Sequence, residues 1–241
     1  MSALPGTTGR RRIYLMRHGF VDYTSKEVRD TRDPSVAHLT EQGEAEARSA
    51  GVALSEVEFD LAICSRTRQT AEIVLAEHPN APPLEEDARF GELRSGQYID
   101  FKSPEHLAAT MTFTFENAGK PDATFLPGGE KFADAMVRIE KGLRALLYRP
   151  SWACALIVAH EVVNRMVLAS VIGAPLGACS GFEQDTGCIN IIDFDLVPDD
   201  DNAGTRIERG MIKAVNLTPA NYLKNGMNLR SLEAIFTRAE D

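Results

Sequence analysis

Residues 12–19, RIYLMRHG, set the apolar run 13–16 directly against an arginine, a histidine and a glycine. The strand read over 12–16 does not alternate polar with apolar positions after Arg12, as a strand covered on both faces should not. Residues 60–64, DLAIC, and 155–159, ALIVA, read the same way. Residues 189–195 and the alternating 206–215 give further strands, and the acidic run 199–201 between them reads as a turn. Helical periodicity fills much of the rest, over 40–54, 67–77, 130–147 and 162–172. Strands alternating with helices predict an α/β fold built on a doubly wound, mainly parallel sheet with helices on both faces. In such sheets ligands bind beyond the carboxyl ends of the strands, so the residues just after each strand carry the functional reading.

The rest of the chain agrees with one globular domain over residues 1–241. Hydrophobic residues make up 44% and charged residues 25%, with 18 Gly and 12 Pro, which excludes a disordered or collagenous chain. At this length folding buries roughly 70–75% of the unfolded surface, so no disulfide or metal staple is needed. Lys and Arg number 26 against 35 Asp and Glu, a formal charge of −9. That balance argues against nucleic-acid and anionic-membrane partners. Cys64, Cys154, Cys179 and Cys188 show no metal-finger spacing and read as reduced thiols. No secretory signal opens the sequence, and the most apolar region, 153–178, is interrupted by His160, Glu161, Asn164 and Arg165. The expectation is a cytoplasmic protein.

Three strand ends carry unusual charge. The first runs into Arg17, His18 and Gly19, the second into Ser65 and Arg66, and the ALIVA strand into His160. Singly, each is an ordinary surface residue or a solvated histidine. Together they place two arginines and two histidines at neighbouring strand ends, where like charges are costly unless an anion neutralises them. A phosphoryl group suits, because guanidinium forks match its oxygens, and Gly19 could offer its N–H at close range. A divalent metal is disfavoured beside two arginines, so neither metal nor cofactor is expected. Glu92, flanked by Phe90, Leu93 and Tyr98, is a carboxyl that desolvation could keep protonated as an acid.

Six segments in order resemble the histidine phosphatase superfamily, also called the phosphoglycerate mutase-like family. These are YLMRHG (14–19), LTEQGEAEA (39–47), FDLAICSRTRQTAEI (59–73), FGELRSGQY (90–98), LPGGEKFADAMVRI (126–139) and LIVAHEVVNRMVLASVIG (156–173). The resemblance implies a metal-independent phosphomonoesterase in which His18 attacks phosphorus. Arg17, Arg66 and His160 hold the phosphate oxygens, and Glu92 serves as general acid and then base. Three departures stand out. The turn before Arg66 is about three residues shorter than the family pattern, making Arg68 the fallback. Glu161 replaces the usual small residue after His160; it suits a helix N-terminus but would repel phosphate if turned inward. Lys131 replaces the serine after Pro-Gly-Gly-Glu.

The mutases of the family continue the first motif with polar residues, whereas this chain reads RHGFVDY, which favours a phosphatase acting on a small phosphorylated metabolite. A cofactor-dependent mutase is the alternative, and a silent phosphate-binding or protein-interaction module is the second. Phe20, Tyr23, Tyr98 and Gln184 are expected at the substrate rim. A specificity cap is expected at 100–126, where Met111, Phe113 and Phe115 read as helix packing before they read as a substrate wall, and a tail at 217–241 is expected to pack on the domain or a partner. A homo-oligomer is compatible with the sequence but does not follow from it.

Overall fold

In the computed structural model, the described residues are 9–23, 25–31, 36–66, 68–94, 96, 114–199 and 204–224. Tyr98, Met111, Phe113 and most of the expected cap and tail therefore lie outside them. The elements in chain order are β1 (Gly9–Arg17), α1 (Lys26–Thr31), α2 (Glu41–Leu54), β2 (Leu61–Cys64), α3 (Arg68–Leu75) and β3 (Leu84–Glu86). They continue with α4 (Phe132–Leu147), β4 (Cys154–Ala159), α5 (Glu161–Val171), β5 (Ile189–Asp199) and β6 (Gly204–Leu217). One six-stranded sheet has the order β3-β2-β4-β1-β5-β6. The first four strands in that order pair in parallel, and β5 and β6 add antiparallel at one edge. The short β3, whose LEE has almost no apolar content, and the six-residue α1 escape the pattern read from the sequence.

The non-alternating strands are explained by what covers them. Ile13, Leu15, Ile63 and Ile157 point to one face, where they pack with Phe132, Ile139, Leu143 and Met166 of α4 and α5. Tyr14, Met16, Ala62, Cys64, Leu156 and Val158 point to the other, against Ala47, Ala50 and Leu54 of α2 and Ala71 and Val74 of α3. Alternate side chains thus go to opposite cores, and both sets must be apolar.

Register aligns the three central strand ends. Arg17 pairs with Ala159 across β1 and β4, and Cys64 with Val158 across β2 and β4. Beyond the strands, His18 N donates to Ala159 O at 3.1 Å and Ser65 N to Val158 O at 3.2 Å. The residues that leave the sheet here are therefore held side by side by backbone pairing.

Two sequence motifs lock the first of these ends to α2. Thr40 caps α2 by accepting from Gly43 N at 3.1 Å. Gly19 and Gly43 meet so closely that a Cβ on Gly43 would stand 2.1 Å from Phe20 O, and one on Gly19 2.3 Å from Gly43 O. Both positions need glycine for this approach rather than for an unusual backbone angle. Glu46 completes the lock, accepting from Phe20 N at 2.9 Å and Thr186 Oγ1 at 3.0 Å.

Candidate active site

His18 is 3% exposed at the end of β1, with its ring 5.2 Å from that of His160, centroid to centroid. Its Nδ1 faces the carbonyl of Gly19 at 2.8 Å. A carbonyl only accepts, so Nδ1 carries the proton and Nε2 is left with its lone pair. Desolvation first, and the neighbouring Arg17 second, lower the His18 pKa to about 4. At neutral pH the ring is uncharged, with an unprotonated nitrogen free to act as a nucleophile.

His160 precedes α5 as its N-cap residue, and its Nε2 lies 2.7 Å from Ser65 Oγ. Burial, then His18, Arg17 and Arg138, hold its pKa well below the usual histidine range. A neutral His160 has one N–H to give. If the Ser65 hydroxyl donates to Nε2, that N–H sits on Nδ1 and can face a ligand oxygen. Ser65 was flagged in the sequence only as the neighbour of Arg66, yet its hydroxyl is the hydrogen-bond partner of the His160 ring.

Arg17, 4% exposed, donates from Nη1 to the carbonyl of Gln184 at 2.5 Å and pairs through Nη2 with Glu161 Oε2 at 3.1 Å. Glu161 is thus turned inward, onto the arginine. Its other oxygen meets Arg165 Nη2 at 2.8 Å, one helical turn along α5. Gln184 is fully buried, not at a rim: its side chain bonds to Asn190 and the Glu183 carbonyl, and its backbone carbonyl accepts from Arg17. Gly19 likewise departs from expectation. Its N–H donates to Thr70 Oγ1 at 3.2 Å, an internal bond between β1 and α3, so its role is the close approach to α2.

Glu92 sits across the mouth of α5. Oε1 accepts from Leu93 N at 3.0 Å and Oε2 from Val162 N at 3.3 Å. Desolvation outweighs these bonds and lifts its pKa to about 7, with Glu161 adding and Arg17 opposing. The carboxyl is therefore close to half-protonated at neutral pH. Its loop is held by Arg138 of α4, which donates to the carbonyls of Arg89 at 2.7 Å and Glu92 at 3.3 Å. Glu130, the acidic residue of the Pro-Gly-Gly-Glu motif, anchors Arg138 at 2.8 Å and accepts from Arg94 N at 3.2 Å. Arg138 and Glu130 are the supports that sequence reading missed; their eight-residue separation along the chain gives no pairing signal.

The remaining candidates divide. Tyr23 is in electrostatic reach of Arg17, Glu92 and Glu161, and desolvation pushes its pKa up to about 12. Phe20 is half-buried, with its backbone engaged by Glu46 and Thr40. Arg66 follows β2 as expected but is exposed, and it makes no hydrogen bond or ion pair with a described residue. Its fallback, Arg68, is committed to Glu72 at 3.2 Å and Glu86 at 3.0 Å. Phe115 packs in the core, the first of its two readings: it is 6% exposed and lies beneath the Arg165 guanidinium. Lys131 bonds Asp122 at 2.7 Å, away from the site. No helix among the described residues is long and apolar enough to cross a membrane.

Comparison with known proteins identifies the family. The chain is 27% identical over 192 residues to the adenosylcobalamin/alpha-ribazole phosphatase of Escherichia coli K12, covering 76% of this chain and 90% of that protein. It is also 27% identical over 169 residues to the probable phosphoglycerate mutase GpmB of Erwinia tasmaniensis, covering 69% and 77%. The fold is similar to that of a mycobacterial glucosyl-3-phosphoglycerate phosphatase in complex with inorganic phosphate. The TM-score is 0.65 at 17% identity, over 87% of this chain and 98% of that one. The histidine phosphatase superfamily (branch 1) model matches residues 13–197, a span that holds Arg17, His18, Ser65, Arg66, Glu92 and His160. The chain belongs to the histidine phosphatase superfamily, branch 1.

Proposed function

We propose that the chain is a phosphomonoesterase that cleaves a small phosphorylated metabolite through a phosphohistidine on His18. The observation that carries this reading is the His18 ring: Nδ1 is tied to the Gly19 carbonyl and Nε2 is unprotonated, while Glu92, a carboxyl with pKa about 7, accepts from Val162 N two residues beyond His160. Nε2 forms a bond to phosphorus as the ester P–O bond breaks, and the Glu92 proton passes to the departing oxygen. Water then attacks the phosphohistidine, giving its proton to Glu92 as the N–P bond breaks. Arg17, Arg66 and His160 stabilise the charge on the three non-bridging oxygens through both steps. Exposed Arg66 reaches the phosphate when substrate enters; Arg17 is already buried in place.

A phosphatase is preferred to a mutase because RHGFVDY puts Phe20, Val21 and Tyr23 where polar contacts to phosphoglycerate are expected. Candidate substrates are those named by the relatives, a ribazole phosphate and phosphoglycerates, within a panel of phosphorylated metabolites. Residues 100–126 are proposed as the cap that selects among them.

Two measurements test the reading. p-Nitrophenyl phosphate should turn over in the presence of EDTA, and rapid quenching without acid should trap an acid-labile, alkali-stable phosphate on His18. His18→Ala should lose turnover by about 10⁴-fold or more. Full activity in that variant rules out the nucleophile. Transfer to phosphoglycerate that depends on added bisphosphoglycerate replaces the phosphatase reading by the mutase one.

A further inference from the structure

We infer that Glu161 is a positioning residue that aims Arg17 and reduces the positive charge of the phosphate pocket, with Arg165 as the counterweight that sets how far. The inference rests on the proposed phosphate site. Glu161 stands in the first turn of α5, where the helix favours a carboxylate, and its side chain is 10% exposed. It is held from both sides: Oε2 meets Arg17 Nη2 at 3.1 Å and Oε1 meets Arg165 Nη2 at 2.8 Å and Nε at 3.2 Å. Arg165 is itself 1% exposed. It donates to the Cys179 carbonyl at 3.1 Å, and its guanidinium carbon lies 4.4 Å from the Phe115 ring centroid. A glutamate four residues before an arginine is the favourable order on a helix, so the pair holds its geometry whether or not Arg17 is engaged.

The consequence follows from charge. Arg17 has one edge on the Gln184 carbonyl and Glu161, which fixes the plane of its fork. A phosphate bound to the same guanidinium lies roughly 5–6 Å from the Glu161 carboxylate, close enough for repulsion to alter affinity about tenfold or more in a partly desolvated site. Arg165 offsets part of that repulsion. The buried set Arg17, Glu161 and Arg165 therefore carries one net positive charge rather than two, and the pocket binds phosphate firmly enough to orient it without retaining the product.

Inorganic phosphate titrated calorimetrically into the full-length chain at pH 7 gives the test, since it needs no turnover. Glu161→Gln should tighten phosphate about tenfold while lowering kcat, because Arg17 loses its aim. Arg165→Met should weaken phosphate about tenfold, because the carboxylate is left less neutralised. The double variant should return near the wild-type value. A purely structural role predicts lower melting temperatures in all three without opposite shifts in affinity. Equal affinities, or shifts of the same sign in the two single variants, overturn the inference. If Glu161→Gln does not fold, weakened binding in Arg165→Met and its recovery in the double variant still decide it. Wild-type protein that binds phosphate but turns over no ester refutes the proposed catalysis alone; wild-type protein that binds no phosphate refutes both.

Discussion

Strand β1 carries arginines at both ends, and the two ends use them in opposite ways. Toward its start, Arg12 grips Asp193 of β5 through Nε at 2.6 Å and Nη2 at 2.8 Å. Arg10 grips Asp195 at 2.8 and 3.2 Å, and Arg209 of β6 joins Asp195 at 2.7 Å. Both carboxylates are buried, both guanidinium forks are filled, and the result is a closed ladder across three strands. At the far end Arg17 has a single carboxylate, shared with Arg165, and its other neighbours are two imidazoles held neutral and a carboxyl with pKa about 7. In the first arrangement each of the three guanidinium groups is bonded to a buried carboxylate. The second leaves a net positive pocket lined by groups ready to exchange protons, which is what a phosphoryl ligand requires.

Arg17→Ala should show the contrast at its largest. Removing the fork should lower kcat/KM about 10³-fold, as for loss of an oxyanion donor, with a folded protein remaining because Glu161 keeps Arg165. A loss of less than about tenfold in steady-state assays puts the phosphate elsewhere and dissolves the distinction between the two ends.

Much of this contrast is legible in the sequence, because strand ends are. RHG, CSR and AH each follow an apolar run, and register brings them together once the sheet is parallel. Glu92 is legible as a carboxyl among apolar neighbours. What escapes is of two kinds. Partners distant in the chain, such as Arg138 with the Glu92 loop, are joined only by the packing of α4, and no spacing announces them. Backbone uses are also invisible: Gln184 appears as a polar side chain but serves Arg17 through its carbonyl, and the Gly19 N–H is taken by Thr70. Glu161 and Arg165, by contrast, stand at helical pairing distance, so that link was open to a closer reading of residues 161–165.

Glu92→Gln is the next test, and its effect should depend on the leaving group. An alkyl phosphate needs the proton and should lose about 10² in kcat; nitrophenyl phosphate scarcely needs it and should lose less than tenfold. The pH profile sharpens this. On the proposed mechanism His18 acts as the free base, so activity should rise as pH passes about 4, and Glu92 acts as the acid, so activity should fall as pH passes about 7. In Glu92→Gln the alkaline limb should vanish while the acid limb stays. An alkaline limb that persists with the same midpoint assigns it to another group, with Tyr23, raised to about 12, too high to serve.

The smallest effect on activity should come from the other end of the same strand. Arg12→Ala removes the strongest rung of the ladder and leaves Asp193 buried beside Arg10, whose Nη1 is 3.7 Å away. Loss of a charge-assisted pair with one partner still present should cost about 1–3 kcal/mol, readable as a lower denaturant midpoint. Yet kcat should stay within about twofold of wild type. Arg12 and Arg17 are separated by about 16 Å along an extended strand, beyond the screening length at physiological salt. The charge on Arg12 is, moreover, already matched by a carboxylate, so its removal with Asp193 intact sends at most a weak, salt-sensitive field to His18. A larger change in kcat that fades at high salt makes the ladder part of the electrostatics of the pocket. One that persists at high salt means that strand position, not charge, carries the effect from one end of β1 to the other.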